Sequence, residues 1–183
     1  MWHPSLEDFG LQTEVSYAMK IIRRTVVGAS TLGVIASLLT GAFAQGAELP
    51  KRSVLTLEAA QRVVQAAKKE AADHGWACVI AVVDGEGLLV TAIRMDNAAV
   101  PAGVEPAPGK ARTAALFHRP TSALEEAING SRPAAITAHD FVMMTGGVPI
   151  VVDGQIVGVI GVSSDTPDRD VQVANAGVAA LTR

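Results

Sequence analysis

Cysteine is nearly absent from this sequence, because Cys78 is the only one in 183 residues. A chain with one cysteine has no internal disulfide, so its stability comes from packing or from assembly. Cys78 lies inside the apolar run WACVIAVVD. We therefore interpret it as a small buried core residue and not as a catalytic thiol.

Three familiar kinds of catalytic or binding motif are missing as well. No cluster of histidine and cysteine has the spacing of a zinc site, no loop has the Walker phosphate-binding pattern, and no nucleophile elbow is present. Basic residues are not in excess, since 15 Lys+Arg stand against 18 Asp+Glu and give a formal net charge of -3. We therefore expect no nucleic-acid partner.

The N-terminal part of the sequence has the layout of a secretory signal peptide. Basic residues follow Met19, an uncharged stretch covers residues 25–39, and an Ala-x-Ala cleavage site precedes Gln45. We therefore interpret residues 19–44 as a signal peptide and residues 1–18 as an over-called start. These assignments predict a periplasmic or secreted protein.

The alternative for this segment is an uncleaved membrane anchor. Its apolar stretch is short and is interrupted by glycine and serine, which argues against a membrane span. We therefore expect no stable membrane span once the signal peptide has been removed.

Residues 45–183 are enough for a single domain with one core. Hydrophobic periodicity, caps and turn residues predict the order helix, hairpin, helices, hairpin, helix, which is an α+β layout with an antiparallel sheet of two hairpins flanked by helices. The predicted elements are a helix from Leu57 to about Ala71 capped by Thr56, strands at 76–83 and 88–95, an irregular loop at 96–109, helices at 110–118 and 122–128, strands at 148–152 and 155–162, and a last helix opened by Thr166. Ser122 and Glu125 have the spacing of a capping box.

The predicted strands carry apolar residues on both faces, so both faces of the sheet need cover. The predicted helices do not suffice for this, and we expect a partner subunit or a ligand pocket to cover the rest. Two glycines, Gly158 and Gly161, interrupt the last strand. They indicate either bulges that let the sheet twist or the close approach of a helix, a subunit or a ligand.

Five segments carry a resemblance to a known family: LTLEAAQRVVQAA, VVDGEGLLVTAIRMD, GKARTAALF, GGVPIVVDGQIVGVIGVSS and DRDVQVANAGVAAL. In this order they resemble the GlcG and HbpS haem-binding family, which is similar to the C-terminal region of PduO-type proteins. The resemblance covers about residues 54–182. It implies a profilin-like fold, assembly into homo-oligomers, and binding of haem or another tetrapyrrole. The sequence differs from the usual pattern in having Ser163-Ser164 where Ser-Gly often ends the hairpin.

Haem needs an axial donor, and the chain offers histidines and methionines for this role. We propose His118 or His139 as the metal ligand: His118 precedes the cation Arg119, which suits a propionate, and His139 precedes an acid that could orient its imidazole. His74 lies at a predicted helix end, where a contact with the helix dipole explains it better. Met143 and Met144 are interpreted as core residues.

Four polar residues, Arg94, Asp96, Lys110 and Thr113, form a second candidate group for cofactor binding. Arg94 and Lys110 could hold carboxylates, either haem propionates or a small acid, and Thr113 follows Lys110 by one helical turn. An ion pair between Arg94 and Asp96 is the simpler alternative. A further candidate is the pair Gly146-Gly147, which keeps side chains away from the start of a strand.

Three functions are compatible with the sequence. The first is an exported, oligomeric protein that binds haem or a related tetrapyrrole in haem sensing or handling, without catalytic turnover. The second is an enzyme or sensor for a small hydroxy acid or aromatic metabolite, in which Arg94 and Lys110 hold a carboxylate. The third is a structural accessory subunit.

The signal-peptide assignment predicts that the exported protein begins at Gln45. Intact-mass measurement of the secreted or periplasmic protein should give the mass of residues 45–183. Retention of residues before Gln45 in the soluble protein would contradict the assignment.

Overall fold

The computed structural model describes residues 49–182, and within that range the elements follow the predicted order. The bounds are α1 Leu57–Asp73, β1 Val79–Asp84, β2 Leu89–Arg94, α2 Pro106–Phe117, α3 Thr121–Asn129, β3 Gly147–Val152, β4 Gln155–Ser163 and α4 Pro167–Val178. Short 3-10 helices lie at Pro101–Val104 and Pro133–Thr137. The predicted start and signal peptide lie outside the described residues, and in the described part no helix has the length and apolarity to cross a membrane.

The sheet is four-stranded, with the order β2-β1-β4-β3 and antiparallel pairing throughout. Each predicted hairpin supplies one edge strand and one central strand. The second hairpin turns at Asp153 and Gly154, which both have positive φ, as a two-residue type I′ turn requires. The predicted α+β class, with two hairpins and flanking helices, is therefore confirmed.

Two helix starts differ from the sequence-based prediction. The helix α2 begins at Pro106 and not at Lys110, because proline is well suited to the first turn, where its missing N–H costs nothing. The predicted capping box of Ser122 and Glu125 is wrong: no side chain caps α3, and the Glu125 carboxylate instead accepts a hydrogen bond from the backbone N–H of Thr145 at 2.7 Å.

Helices of this chain cover both faces of the central strands. One face carries Ile80 and Ile160, which share a core cluster with residues of α1 and α4 such as Val63 and Val173. On the other face, Val83 and Val159 pack against the α2 alanines Ala111, Ala114 and Ala115. The expectation that the helices would not suffice is therefore wrong for β1 and β4. Exposed apolar surface remains on the edge strand β2, where Leu89 is 59% exposed.

The glycines of β4 are explained by close approach within the chain. A Cβ built on Gly161 would lie 2.8 Å from the backbone nitrogen of Ala111 in α2, and one built on Gly158 would lie 2.5 Å from Leu55 Cδ2. Gly158 also lies beside a break in the β3–β4 register at Ile150, so a bulge is present there as well. Both explanations that the sequence left open therefore apply, and the approaching groups are a helix and a side chain of this chain.

Replacing Gly161 by Ala should lower the free energy of unfolding by about 1–3 kcal/mol, because the new methyl group would collide with the backbone of α2. Ser122→Ala, at an exposed position of α3, is the control and should change the stability by less than about 0.5 kcal/mol. Urea unfolding followed by circular dichroism measures both. Equal stability of the two variants would show that α2 does not lie on the sheet at Gly161.

Candidate functional site

A buried ion pair joins the two helical layers at one end of the sheet. The Lys110 Nζ of α2 lies 2.7 Å from Asp170 Oδ2 of α4, and the two side chains are only 3% and 6% exposed. The same Nζ donates to the backbone oxygen of Val162 at 3.0 Å. Two buried charges of opposite sign therefore neutralise each other at the end of β4.

The second carboxylate oxygen of Asp170 is held by a serine. Ser164 donates to Asp170 Oδ1 from its backbone N–H and from its hydroxyl, each at 2.6 Å. The carboxylate thus has three donors, with the Lys110 ammonium as the third. This arrangement meets the requirement that a buried charge be both paired and hydrogen-bonded.

The ion pair lines a cleft of about 210 Å³. Polar groups of the wall come from Glu125, Thr145 and Ser163, and apolar contacts come from Val100, Pro106 and Met144. We name this the Lys110 cleft. It collects residues from α2, α3, α4 and the end of β4, so only the folded chain can assemble it.

Thr113 lies close to Lys110 in the sequence but has a structural role. Its hydroxyl donates to the backbone oxygen of Gly109 and accepts from the backbone N–H of Val142, both at 2.8 Å. The residue is fully buried. Thr113 therefore fastens the segment before β3 to α2, and its hydroxyl is already used inside the protein.

The absence of side chains at Gly146 and Gly147 is explained by their contact with the Lys110–Asp170 region. Gly146 has φ +128°, and a Cβ on it would lie 3.1 Å from both Lys110 Cδ and Asp170 Cβ. A Cβ on Gly147 would lie 2.9 Å from the Lys110 carbonyl carbon. The backbone N–H of Gly147 donates to Thr121 Oγ1 at 2.8 Å. These glycines make room for the ion pair and for α2.

His118 lies at the opposite end of α2 and lines a larger cleft. It is the C-cap residue, in the left-handed conformation with φ 53°, and it is exposed. The cleft, of about 570 Å³, also includes Lys51, Arg52, Leu55 and Ile156. We name it the His118 cleft. It brings together an imidazole, two cations, an apolar wall and the carboxylates of Asp84 and Glu86.

The remaining histidines lie elsewhere. His139 is exposed, follows the 3-10 helix Pro133–Thr137, and does not line the His118 cleft. His74 caps α1, donates from Nδ1 to the backbone oxygen of Glu70 at 3.0 Å, and stacks on Trp76 with 4.4 Å between ring centroids. Among residues 49–182 no group of three or more His, Cys, Asp or Glu could hold a metal ion. Axial haem ligation by His118 or His139 stays a prediction.

Arg94 and Asp96 are not joined to Lys110. Both are exposed near the end of β2, and within the described range no ion pair links them to each other. Asp96 lines a third cleft, of about 330 Å³, with Trp76 and Arg169. The structure therefore separates the four polar candidates: the Lys110 cleft does not include Arg94.

Cys78 is a core residue, as the sequence predicts. It is fully buried, and burial, together with the negative charge of Asp170, raises the pKa of its thiol to about 12. The thiolate needed for nucleophilic chemistry is therefore absent at neutral pH.

Comparison with known proteins identifies relatives of this chain in both sequence and structure. Residues 55–179 match the family model described as haem degrading protein HbpS-like. Protein GlcG of Escherichia coli K12 is 43% identical over 110 residues, which are 60% of this chain and 81% of GlcG. A double mutant of Streptomyces reticuli HbpS is 35% identical, with a TM-score of 0.69 over 76% of this chain and 95% of that one. A PduOC structure in complex with haem, 24% identical with a TM-score of 0.65 over 70% of this chain and 96% of that one, shows the shared fold alone.

The antiparallel sheet with helices on both faces defines an HbpS-type α+β domain. The family match covers nearly all of the described range, and the chain belongs to the HbpS-like family.

Replacing Lys110 by Met should lower the free energy of unfolding by about 3–5 kcal/mol, because Asp170 would be left as an unpaired buried charge. The double variant Lys110→Met/Asp170→Leu should be more stable than Lys110→Met alone, since it removes both charges. Urea unfolding of the two single variants and the double variant gives the coupling free energy. Simple addition of the two single losses would contradict a coupled pair.

Proposed function

We propose that this protein binds haem or a related tetrapyrrole in the His118 cleft. Two observations support this proposal. The chain belongs to a family whose description names haem, and the His118 cleft combines an imidazole with cations and apolar side chains. The meeting of His118 with Lys51 and Arg52 in one cleft is the observation on which the assignment of the site depends.

The residues present fit such a ligand. His118 is exposed to the cleft and supplies a nitrogen donor for an iron atom. Leu55, Ile156 and Val157 supply apolar contacts for a macrocycle, while Lys51 and Arg52 are placed to meet its carboxylates. The cleft of about 570 Å³ falls within the ordinary size range of ligand pockets. Bound haem would supply redox-active iron at this place.

Arg52 already has a partner. Its guanidinium pairs with the carboxylate of Glu86 at 2.9 Å, and both side chains are more than 70% exposed. An exposed pair of this kind contributes little to stability and can be exchanged readily for another anion. Arg52 therefore remains available to a propionate, at the expense of a weak surface contact.

Export and self-association stay predictions. The sheet itself does not require a second copy, because α2 covers the second face of β1 and β4. Exposed apolar side chains now support assembly instead, and Leu88, Leu89 and Leu116 are 67%, 59% and 43% exposed. These lie on and beside the edge strand β2 and on α2, where a second copy would remove them from water.

Haem titration of the purified protein should give a saturable Soret shift. His118→Ala should abolish the shift and leave the circular dichroism spectrum unchanged, because His118 is exposed and contributes little to the core. His139→Ala tests the second histidine, and His74→Ala is the control, since His74 is accounted for by its contacts with Glu70 and Trp76.

The outcomes separate the possible functions. If both His118→Ala and His139→Ala bind haem as the parent does, histidine ligation is wrong. A shift lost only in His139→Ala would move the site away from the His118 cleft.

Adding ascorbate and oxygen to the haem-loaded protein tests turnover. Progressive loss of the Soret band beyond that of free haem indicates degradation, and a stable band indicates binding alone.

A further inference from the structure

The Lys110 cleft holds polar groups that the fold does not use. Ser163 is only 7% exposed, yet its hydroxyl makes no hydrogen bond to any residue between 49 and 182. Lys110 Nζ donates to Val162 and Asp170, so two of its three N–H groups have acceptors within the same range. No buried side-chain nitrogen or oxygen among the described residues lacks a hydrogen-bond partner, so the Ser163 hydroxyl is open to the cleft, where a ligand can take the place of water.

The charge of the cleft argues against an acid as the ligand. Lys110 and Asp170 neutralise each other, and Asp165 is paired with Arg169. Glu125 has no ion pair within the described residues, so its negative charge is not compensated. It lines the cleft and its Oε2 accepts the N–H of Thr145. A carboxylate placed here would therefore meet another carboxylate.

The shape of the cleft restricts the size of the ligand. Its volume of about 210 Å³ is below the range typical of drug-sized ligands. Val100, Pro106 and Met144 provide apolar contacts beside the polar groups. A molecule of a few heavy atoms, with hydroxyl groups on a short carbon chain, matches this combination, because a hydroxyl group both donates and accepts.

We propose that the Lys110 cleft binds a small, uncharged, hydroxyl-bearing molecule through the Ser163 hydroxyl, the free N–H of Lys110 and the carboxylate of Glu125. This site is separate from the His118 cleft, which shares none of these residues. It does not depend on haem binding, and either proposal can fail without the other.

Three probes of nearly the same shape test the class of ligand: glycerol is neutral, glycerate carries a negative charge, and 2-amino-1,3-propanediol carries a positive charge. Each is titrated into the ¹⁵N-labelled protein while the amide signals of Thr145 and Ser164 are followed, because these two N–H groups lie in the wall of the cleft. Glycerol should shift both signals saturably. The two charged probes should bind at least about tenfold more weakly, because glycerate would meet the Glu125 carboxylate and the cationic probe would meet the Lys110 ammonium.

Two variants test the residues involved. Ser163→Ala removes a hydroxyl that makes no bond to residues 49–182, so the fold should be kept while glycerol binding weakens by about tenfold. Ser122→Ala, an exposed serine on α3, is the matched control and should bind glycerol as the parent does. Glu125→Gln keeps an acceptor for the Thr145 N–H and removes the charge, so it should allow glycerate to bind.

Three results would overturn the proposal. The first is the absence of any saturable shift with glycerol. The second is equal glycerol binding by the parent and Ser163→Ala, which would show that the hydroxyl takes no part. The third is tighter binding of glycerate or of 2-amino-1,3-propanediol than of glycerol, which would assign the cleft to a charged ligand.

Discussion

The close approach of α2 to the sheet is the constraint on which the rest of the structure depends. Gly161 of β4 and Gly147 of β3 lie where a side chain would collide with the backbone of α2. The contacting residues of α2 are themselves small, namely Ala107, Ala111, Ala114 and Ala115. Small residues on both sides therefore allow this close position of the helix, and a larger side chain at either glycine would push helix and sheet apart.

This position determines the surroundings of Lys110. The side chain leaves α2 beside Gly146, passes the end of β4 at Val162, and reaches Asp170 on the helix that covers the opposite face. A buried ammonium without an anion would be strongly destabilising, so Asp170 is required as soon as α2 is in place. The ion pair thus follows from the packing of alanine on glycine, and it joins the two helical layers around the end of the sheet.

Sequence reasoning was most effective where periodicity and turn chemistry decide the structure. The α1 helix with its Thr56 cap, both hairpins and the Asp153-Gly154 turn were all predictable, because each depends on residues that are close in the sequence. The partner of Lys110 was not predictable, because Asp170 is sixty residues away and an acid in the first turn of a helix is already explained by the helix dipole. Lysine is also exposed in most proteins, which made a surface clamp the natural interpretation. The His118 cleft was missed because the segment at 50–55, which supplies its cations, carries no motif.

The helix α2 contributes to both clefts, with Lys110 near its start and His118 at its end. Eight residues of helix separate them by about 12 Å along the axis. Coupling between two sites requires an element with two arrangements that both ligands can bias. α2 lies against Gly161 and Gly147, and the structure describes one arrangement of it. We therefore expect the two clefts to bind independently: one presents an imidazole with cations, and the other presents a neutralised ion pair with the Ser163 hydroxyl.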